Sequence, residues 1–328
     1  MRLNEDSYRK KVRDGRLGKC LGGNLGTIPE CLKKRSYFLK PEDFMPEKML
    51  ANDDLDLQLV WLQVLLDKGL SFTSDDLMEE FIKCYPANPN EYGYGKRNYR
   101  RGIKPPVSGT FANEFFMNSM GCPIRAEIWA MICPGRPEKG IELAYRDGCL
   151  DHGEESIYAE QYITALESLS FLSQDRLELI KKAMEYIPET SRIYHVISDI
   201  SGAFEKGSEL EKVMDYLETE YGDVDCSISF YNIGVIALAL LYGNGEFEKT
   251  ITLAVNSGYD PDCTAATLGA VLGIMFGKEI IGEKWQGYCG EEITTGCVNL
   301  HYTILTIVKL FRVNRNFGLD KEYEECAK

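Results

Sequence analysis

The stretch Asn256-Ser257-Gly258-Tyr259-Asp260-Pro261-Asp262-Cys263-Thr264, continued by Ala265-Ala266-Thr267-Leu268-Gly269-Ala270-Val271-Leu272-Gly273, decides the fold. Gly258 and Pro261 make its first part a turn, and the small and apolar residues behind them read as a buried helix. Asp260 and Asp262 therefore stand at the mouth of a packed element. Ionised carboxylates there are costly without compensation, and no Lys or Arg lies between Lys249 and Lys278. Two roles are open to them: capping the amides of the helix start, or holding a hard cation such as a divalent metal ion.

A second acidic stretch, Asn52-Asp53-Asp54-Leu55-Asp56, opens an apolar segment that reads as a core helix over residues 52–66. Asn52 suits an N-cap, and acid in a first turn suits the helix dipole. Each helix taken alone is explained by that. Two acidic helix starts, both leading into the core, are also what a bridged two-metal site requires, with oxygen ligands converging from separate elements.

Near the beginning, a helix expected over residues 6–26 ends in Gly22-Gly23-Asn24-Leu25-Gly26-Thr27-Ile28-Pro29-Glu30. Together with the paired aspartates near residue 50 and the Gly-x-Asp-x-Asp motif near 260, this order of motifs resembles the ADP-ribosylglycohydrolase family, from about residue 15 to residue 277. The resemblance implies an all-α fold, a single compact orthogonal helical domain over residues 1–328 with a central dinuclear metal cleft. It implies that Asp53, Asp54, Asp260 and Asp262 hold two divalent cations, Mg2+ or Mn2+, and serve catalysis with Glu30. Glu30 is left open between bridging metal and transferring a proton. Asn52 and Cys263 stand where the family usually has Thr ligands; an amide oxygen still suits a hard ion, whereas a thiolate suits zinc or iron better than magnesium. Gly121, Arg125 and His152 match family positions beside the ligand pocket, and Ser257 and Gly258 are placed with them. The implied partner is an ADP-ribosylated protein or an ADP-ribose-containing small molecule, and the implied reaction is hydrolysis of the glycosidic bond to the ribose. The alternatives are an inert relative that binds an ADP-ribose-like ligand, and a hydrolase of a different N- or O-ribosyl glycoside.

The residue pattern agrees with a helical chain. Apolar residues recur at helical spacing over 137–147, 154–170, 175–186, 189–206, 209–221, 232–241 and 247–256, without strand alternation. Further helices are expected over 74–84, 111–116, 118–129 and 298–313. Between them, Pro86, Pro89, Gly93, Gly95, Pro105, Pro106 and Gly109 read as a long loop. It carries Lys96, Arg97, Arg100, Arg101 and Lys104, either as a solvated segment or as a lid. In the second role Arg100 and Arg101, with Tyr92, Tyr94 and Tyr99, meet a diphosphate and a base.

A net charge of −14, from 51 acidic against 37 basic side chains, argues against a general nucleic-acid or anionic-membrane surface. The longest apolar run, residues 233–242, is too short to span a bilayer. The 11 cysteines fall at irregular spacing without a CxxC pair, and the start of the chain lacks an apolar signal core, so reduced thiols and a cytoplasmic setting are expected.

Overall fold

The protein is described here from a computed structural model, which covers residues 3–30, 35, 40, 43, 45–288, 294–298 and 300. Among the described residues the α-helices longer than one turn are α1 (Glu5–Thr27), α2 (Asp53–Lys68), α3 (Ser74–Cys84), α4 (Asn90–Arg100), α5 (Glu127–Ile132), α6 (Pro137–Gly148), α7 (Glu154–Ser170), α8 (Arg176–Met184), α9 (Arg192–Glu205), α10 (Leu210–Tyr221), α11 (Ser229–Tyr242), α12 (Phe247–Ser257) and α13 (Pro261–Phe276). Among the described residues the only β pairing is an isolated bridge between Ser119 and Ile228. The chain is all-α, as its periodicity predicts.

Two helices, α11 and α13, are apolar on nearly every side and buried along almost their whole length, which is the signature of a central element. Around them lies one apolar core, with Leu166 of α7, Ile197 of α9 and Val255 of α12; a second gathers Trp61, Phe81, Trp129 and Ile132 around α2 and α3. Both α1 and α13 serve each core: Leu21 and Leu268 belong to the first, Tyr8, Val12 and Ile274 to the second.

Helices α1 and α13 run antiparallel, with backbone against backbone. A Cβ on Gly18 would lie 2.0 Å from the Gly269 carbonyl oxygen, one on Gly22 2.0 Å from that of Ala265, and one on Gly26 2.2 Å from Asp262 N. Glycine lowers helix propensity by roughly 1 kcal/mol per site. Here the absent side chains permit a spacing that any other residue forbids. The seam delivers the end of α1, and Glu30 just beyond it, to the start of α13.

Three expectations are corrected. The segment read as a long loop contains the helix α4, because Gly93 and Gly95 serve close approach instead of a turn: a Cβ on Gly95 would lie 2.8 Å from Leu150 O, and one on Gly93 2.6 Å from Asn88 O. Its Lys96 is buried, with Nζ donating to Tyr85 O at 2.5 Å and Ala87 O at 2.9 Å. The helices expected over 111–116 and 118–129 are turns, a 3-10 turn at Pro123–Arg125 and the short α5. Side chains take over the backbone there, Asn98 donating to Ser108 O and Phe111 O, and Asn113 to Gly109 O and Asp151 O. Cys226 is disulfide-bonded, so the thiols are not uniformly reduced. The helix expected over 298–313 lies outside the described residues except at Val298 and Leu300. No described helix is long and apolar enough to cross a membrane.

Candidate metal centre

The turn before α13 is fixed before its acids are reached. Gly258, with φ of 72°, ends α12, and Tyr259 also adopts a left-handed φ of 65°. The Tyr259 ring stacks on Tyr231 at 3.9 Å between centroids, and Tyr231 OH donates to Ser257 O at 2.9 Å. Ser257 is buried and its own hydroxyl donates to Leu253 O at 2.8 Å. Asp260 then occupies the N-cap of α13, Pro261 its first position and Asp262 its second.

The start of α2 is brought to the same place. Asn52 accepts from Asp54 N at 2.7 Å as its N-cap and donates from Nδ2 to Asp262 Oδ2 at 3.2 Å. The run-up to it is tied to α1, where Asn24 Oδ1 accepts from Leu50 N at 2.9 Å. The ends of three elements thus converge on one point.

Two groups of ligand atoms result, and they share Asp262. Atoms of Asp54, Asp262 and Cys263 lie within 4.8 Å of one another, as do atoms of Glu30, Asp260 and Asp262. Asp53 belongs to neither group; its Oδ2 accepts from Tyr92 OH at 3.0 Å. Asp54 Oδ2 and Asp262 Oδ1 are buried with no hydrogen-bond partner. A buried carboxylate oxygen in that condition is expensive, and the carboxyls respond by holding protons. Desolvation, and then the neighbouring acids, push Asp262 well above the usual carboxylate range. Desolvation does the same to Asp54 against the pull of Lys19. Asp260 rises to about 7, burial being the largest cause. Glu30, an exposed residue at the rim whose carboxyl reaches the group, is raised by desolvation and by Asp53. The Cys263 thiol is likewise held well above its ordinary value by burial and by Asp260. A divalent cation reverses all of these penalties, and a donor set made mainly of carboxylate oxygens fits a hard ion.

One compensating charge comes from far away in sequence. Lys19, fully buried on α1, donates from Nζ to Asp54 Oδ1 at 3.3 Å, Glu127 Oε1 at 2.8 Å and Ile124 O at 2.9 Å. Burial pulls its pKa down, but Glu127 and Asp54 outweigh that and hold it above the ordinary lysine value. Gln58 Nε2 secures Glu127 Oε2 at 2.6 Å and Asp54 O at 2.8 Å. The signal for Lys19 was in the sequence, as a cation set among the small residues of α1 between Gly18 and Cys20.

Of the residues expected beside a ligand, Gly121, Arg125 and His152 form one buried set. Arg125 pairs from Nε with Asp147 Oδ1 at 2.7 Å and from Nη2 with Asp151 Oδ1 at 2.7 Å, leaving its guanidinium committed to structure. His152 holds Asp151 Oδ1 at 2.6 Å through Nδ1, and its Nε2 is 3.1 Å from Ser119 Oγ and 3.8 Å from Glu91 Oε1. Burial lowers the His152 pKa although Asp151 opposes it. A Cβ on Gly121 would lie 2.1 Å from Glu91 Oε1, and the Gly121 carbonyl accepts from Tyr92 OH at 3.3 Å. Glu91 was missed in the sequence; burial, with Asp151 and Asp53 adding to it, raises its carboxyl to about 8. Arg100 and Arg101 are exposed at the other end of α4 from Tyr92, about 12 Å of helical rise away. They are not gathered with the acids.

The family model described as ADP-ribosylglycohydrolase matches residues 4–314 of this chain. Among solved structures, one titled "ADP-ribosylglycohydrolase-related protein complex" superposes with a TM-score of 0.68 at 16% identity, over 95% of this chain and 99% of that one. At that identity the likeness is one of fold. Among curated proteins none matches.

Proposed function

Because the chain belongs to the ADP-ribosylglycohydrolase family, we propose that it is a metal-dependent glycosidase that hydrolyses the bond between an ADP-ribosyl group and its acceptor. The observation that carries this reading is the pair of buried, unpartnered carboxylate oxygens on Asp54 and Asp262, inside two ligand groups that share Asp262. Asp54, Asp262 and Cys263 would hold one cation, and Glu30, Asp260 and Asp262 the other, with Asn52 and Asp53 alongside. Mg2+ or Mn2+ bound there supplies Lewis-acid polarisation of oxygen ligands and orients the sugar.

The chain's own residues supply the rest. Glu30, exposed at the rim, would take the proton of the attacking water with the carboxylate oxygen that the cation leaves free. Asp53, oriented by Tyr92, presents a carboxylate to the oxocarbenium-like charge that develops at the anomeric carbon. Glu91 is largely protonated at pH 7 and offers a hydrogen bond from the floor formed with Gly121 and His152. Ser257 and Gly258 keep the Asp260 turn in shape and belong to the proposed ligand side. A diphosphate that is to meet Arg100 and Arg101 has to extend along α4.

The test is release of ADP-ribose from arginine-, serine- and acyl-linked substrates by metal-loaded protein. Turnover that stops with a chelator, returns with Mg2+ or Mn2+, and is absent in Asp260→Ala supports the proposal. Binding of ADP-ribose with no release from any substrate marks an inert binding relative. No binding of ADP-ribose points to another ribosyl glycoside.

A further inference from the structure

The Lys19 ammonium is bound on all three of its hydrogens, to Asp54 Oδ1, Glu127 Oε1 and Ile124 O. Those acceptors lie on three different elements, α2, α5 and the 3-10 turn before α5. The ammonium is therefore fixed in place, with its side chain 0% exposed. Its effect on Asp54 is asymmetric. One carboxylate oxygen is taken up by the lysine, while the other, Oδ2, is buried and without a partner. The carboxyl is also restrained from its own backbone, since the Asp54 amide is held by Asn52 and its carbonyl by Gln58.

We propose that Lys19 is a positioning residue that makes Asp54 a one-oxygen ligand, and so selects small octahedral ions, Mg2+ or Mn2+, against Ca2+. The inference rests on the metal-binding reading above and assigns a selectivity to it. Ca2+ accepts six to eight oxygens at about 2.3–2.6 Å and commonly takes both oxygens of a carboxylate. Mg2+ demands near-ideal octahedral geometry at about 2.0–2.1 Å, which one oxygen per carboxylate serves. An Asp54 whose Oδ1 is engaged by a fixed ammonium has Oδ2 free to offer, and its Oδ1 could join only by leaving the lysine or by seating the cation beside that charge. Lys19 also carries charge that repels any dication, and that repulsion acts on Mn2+ and Ca2+ alike. The ratio of their affinities therefore isolates the effect on denticity from the effect on charge.

The experiment is calorimetric titration of Mn2+ and of Ca2+ into the metal-free full-length protein and into Lys19→Met. The wild type is expected to prefer Mn2+ by about 10-fold or more, and Lys19→Met to shift the ratio toward Ca2+ by about 10-fold, the lower end of what residues behind metal ligands typically contribute. Loss of charge alone strengthens both ions and leaves the ratio unchanged, and a general loosening of the fold weakens both together. An unchanged ratio in a Lys19→Met protein of native helical content overturns the proposal. So does a wild type that binds Ca2+ as tightly as Mn2+, which needs no variant to fold. Cys263→Ser separates the competing source of selectivity: if that change alone removes the Mn2+ preference, the thiol sets it and Lys19 does not. Absence of any divalent-ion binding defeats the metal reading itself, a result distinct from equal binding of both ions.

Discussion

Asn52 Nδ2 donates to Asp262 Oδ2 at 3.2 Å, so the cap of one acidic helix is bonded to the first turn of the other. The same side chain accepts from Asp54 N at 2.7 Å. Asn52→Ala removes both bonds. We expect it to lower stability by about 1 kcal/mol, as loss of an N-cap does, and to weaken Mn2+ binding through the freed Asp262. Urea unfolding and a metal titration check it; an unmoved unfolding midpoint sinks the capping argument.

The glycine seam predicts opposite signs for the same substitution at two helix positions. Gly22→Ala puts a Cβ 2.0 Å from the Ala265 carbonyl oxygen and should destabilise by about 1–3 kcal/mol or more, because only backbone can yield. Gly202→Ala, inside α9 with nothing within 4 Å, should stabilise by roughly 0.5–1 kcal/mol. Equal shifts in the two denaturation curves would show that the seam is not tight.

In metal-free protein the acid cluster makes stability fall as pH rises. Asp260 goes from 3.8 to about 7 on folding, so between those values the folded chain binds more protons than the unfolded one and loses stability as they leave. Asp54 and Asp262 are shifted in the same direction. Saturating Mg2+ or Mn2+ should remove this decline, and binding should release protons and tighten as pH rises through the same window. Thermal melts from pH 4.5 to 7.5, with and without metal, report it; a metal-free curve flat across that range contradicts the assignment.

Tyr92→Phe deletes the hydroxyl that Asp53 Oδ2 accepts at 3.0 Å. A bond to a charged group contributes about 1.5–3 kcal/mol. Burial already holds the Asp53 carboxyl above its ordinary value against the pull of Tyr92, so we expect it to rise further, with turnover falling roughly 10-fold and helical content unchanged, since about 1.4 kcal/mol corresponds to a tenfold change in rate. Steady-state kinetics beside circular dichroism decides it; wild-type turnover would release Asp53 from the role proposed for it.

Much of this was legible because it is local. Asp53 and Asp260 announce helix starts by their own position, and the apolar runs behind them located α2 and α13, which extend beyond the expected stretches to Lys68 and Phe276. What was hidden depends on distant neighbours. Gly93 and Gly95 have the composition of a turn and the function of a contact, which only Asn88, Leu150 and Asp151 reveal. The sequence around Asp260 holds no cation between Lys249 and Lys278, whereas Lys19 reaches Asp54 from another helix altogether. Arg125 carried a ligand-facing expectation, and the structure surrounds it instead with Asp147 and Asp151. Glu91 had no local signal, because its raised pKa comes from burial that no neighbour in sequence foretells.

The pairing of α1 with α13 also sets a timetable for synthesis. Ribosomes add about 5–20 residues per second, so the glycine face of α1 waits on the order of ten to fifty seconds before the helix that covers it has been made. During that interval Lys19 has neither Asp54 nor Glu127 until each emerges, and the small-residue face stands open to any helix of similar shape. Nascent chains arrested before residue 261 should accordingly expose α1 to chaperones and proteases, and the acid cluster becomes possible only when α13 closes over its first partner.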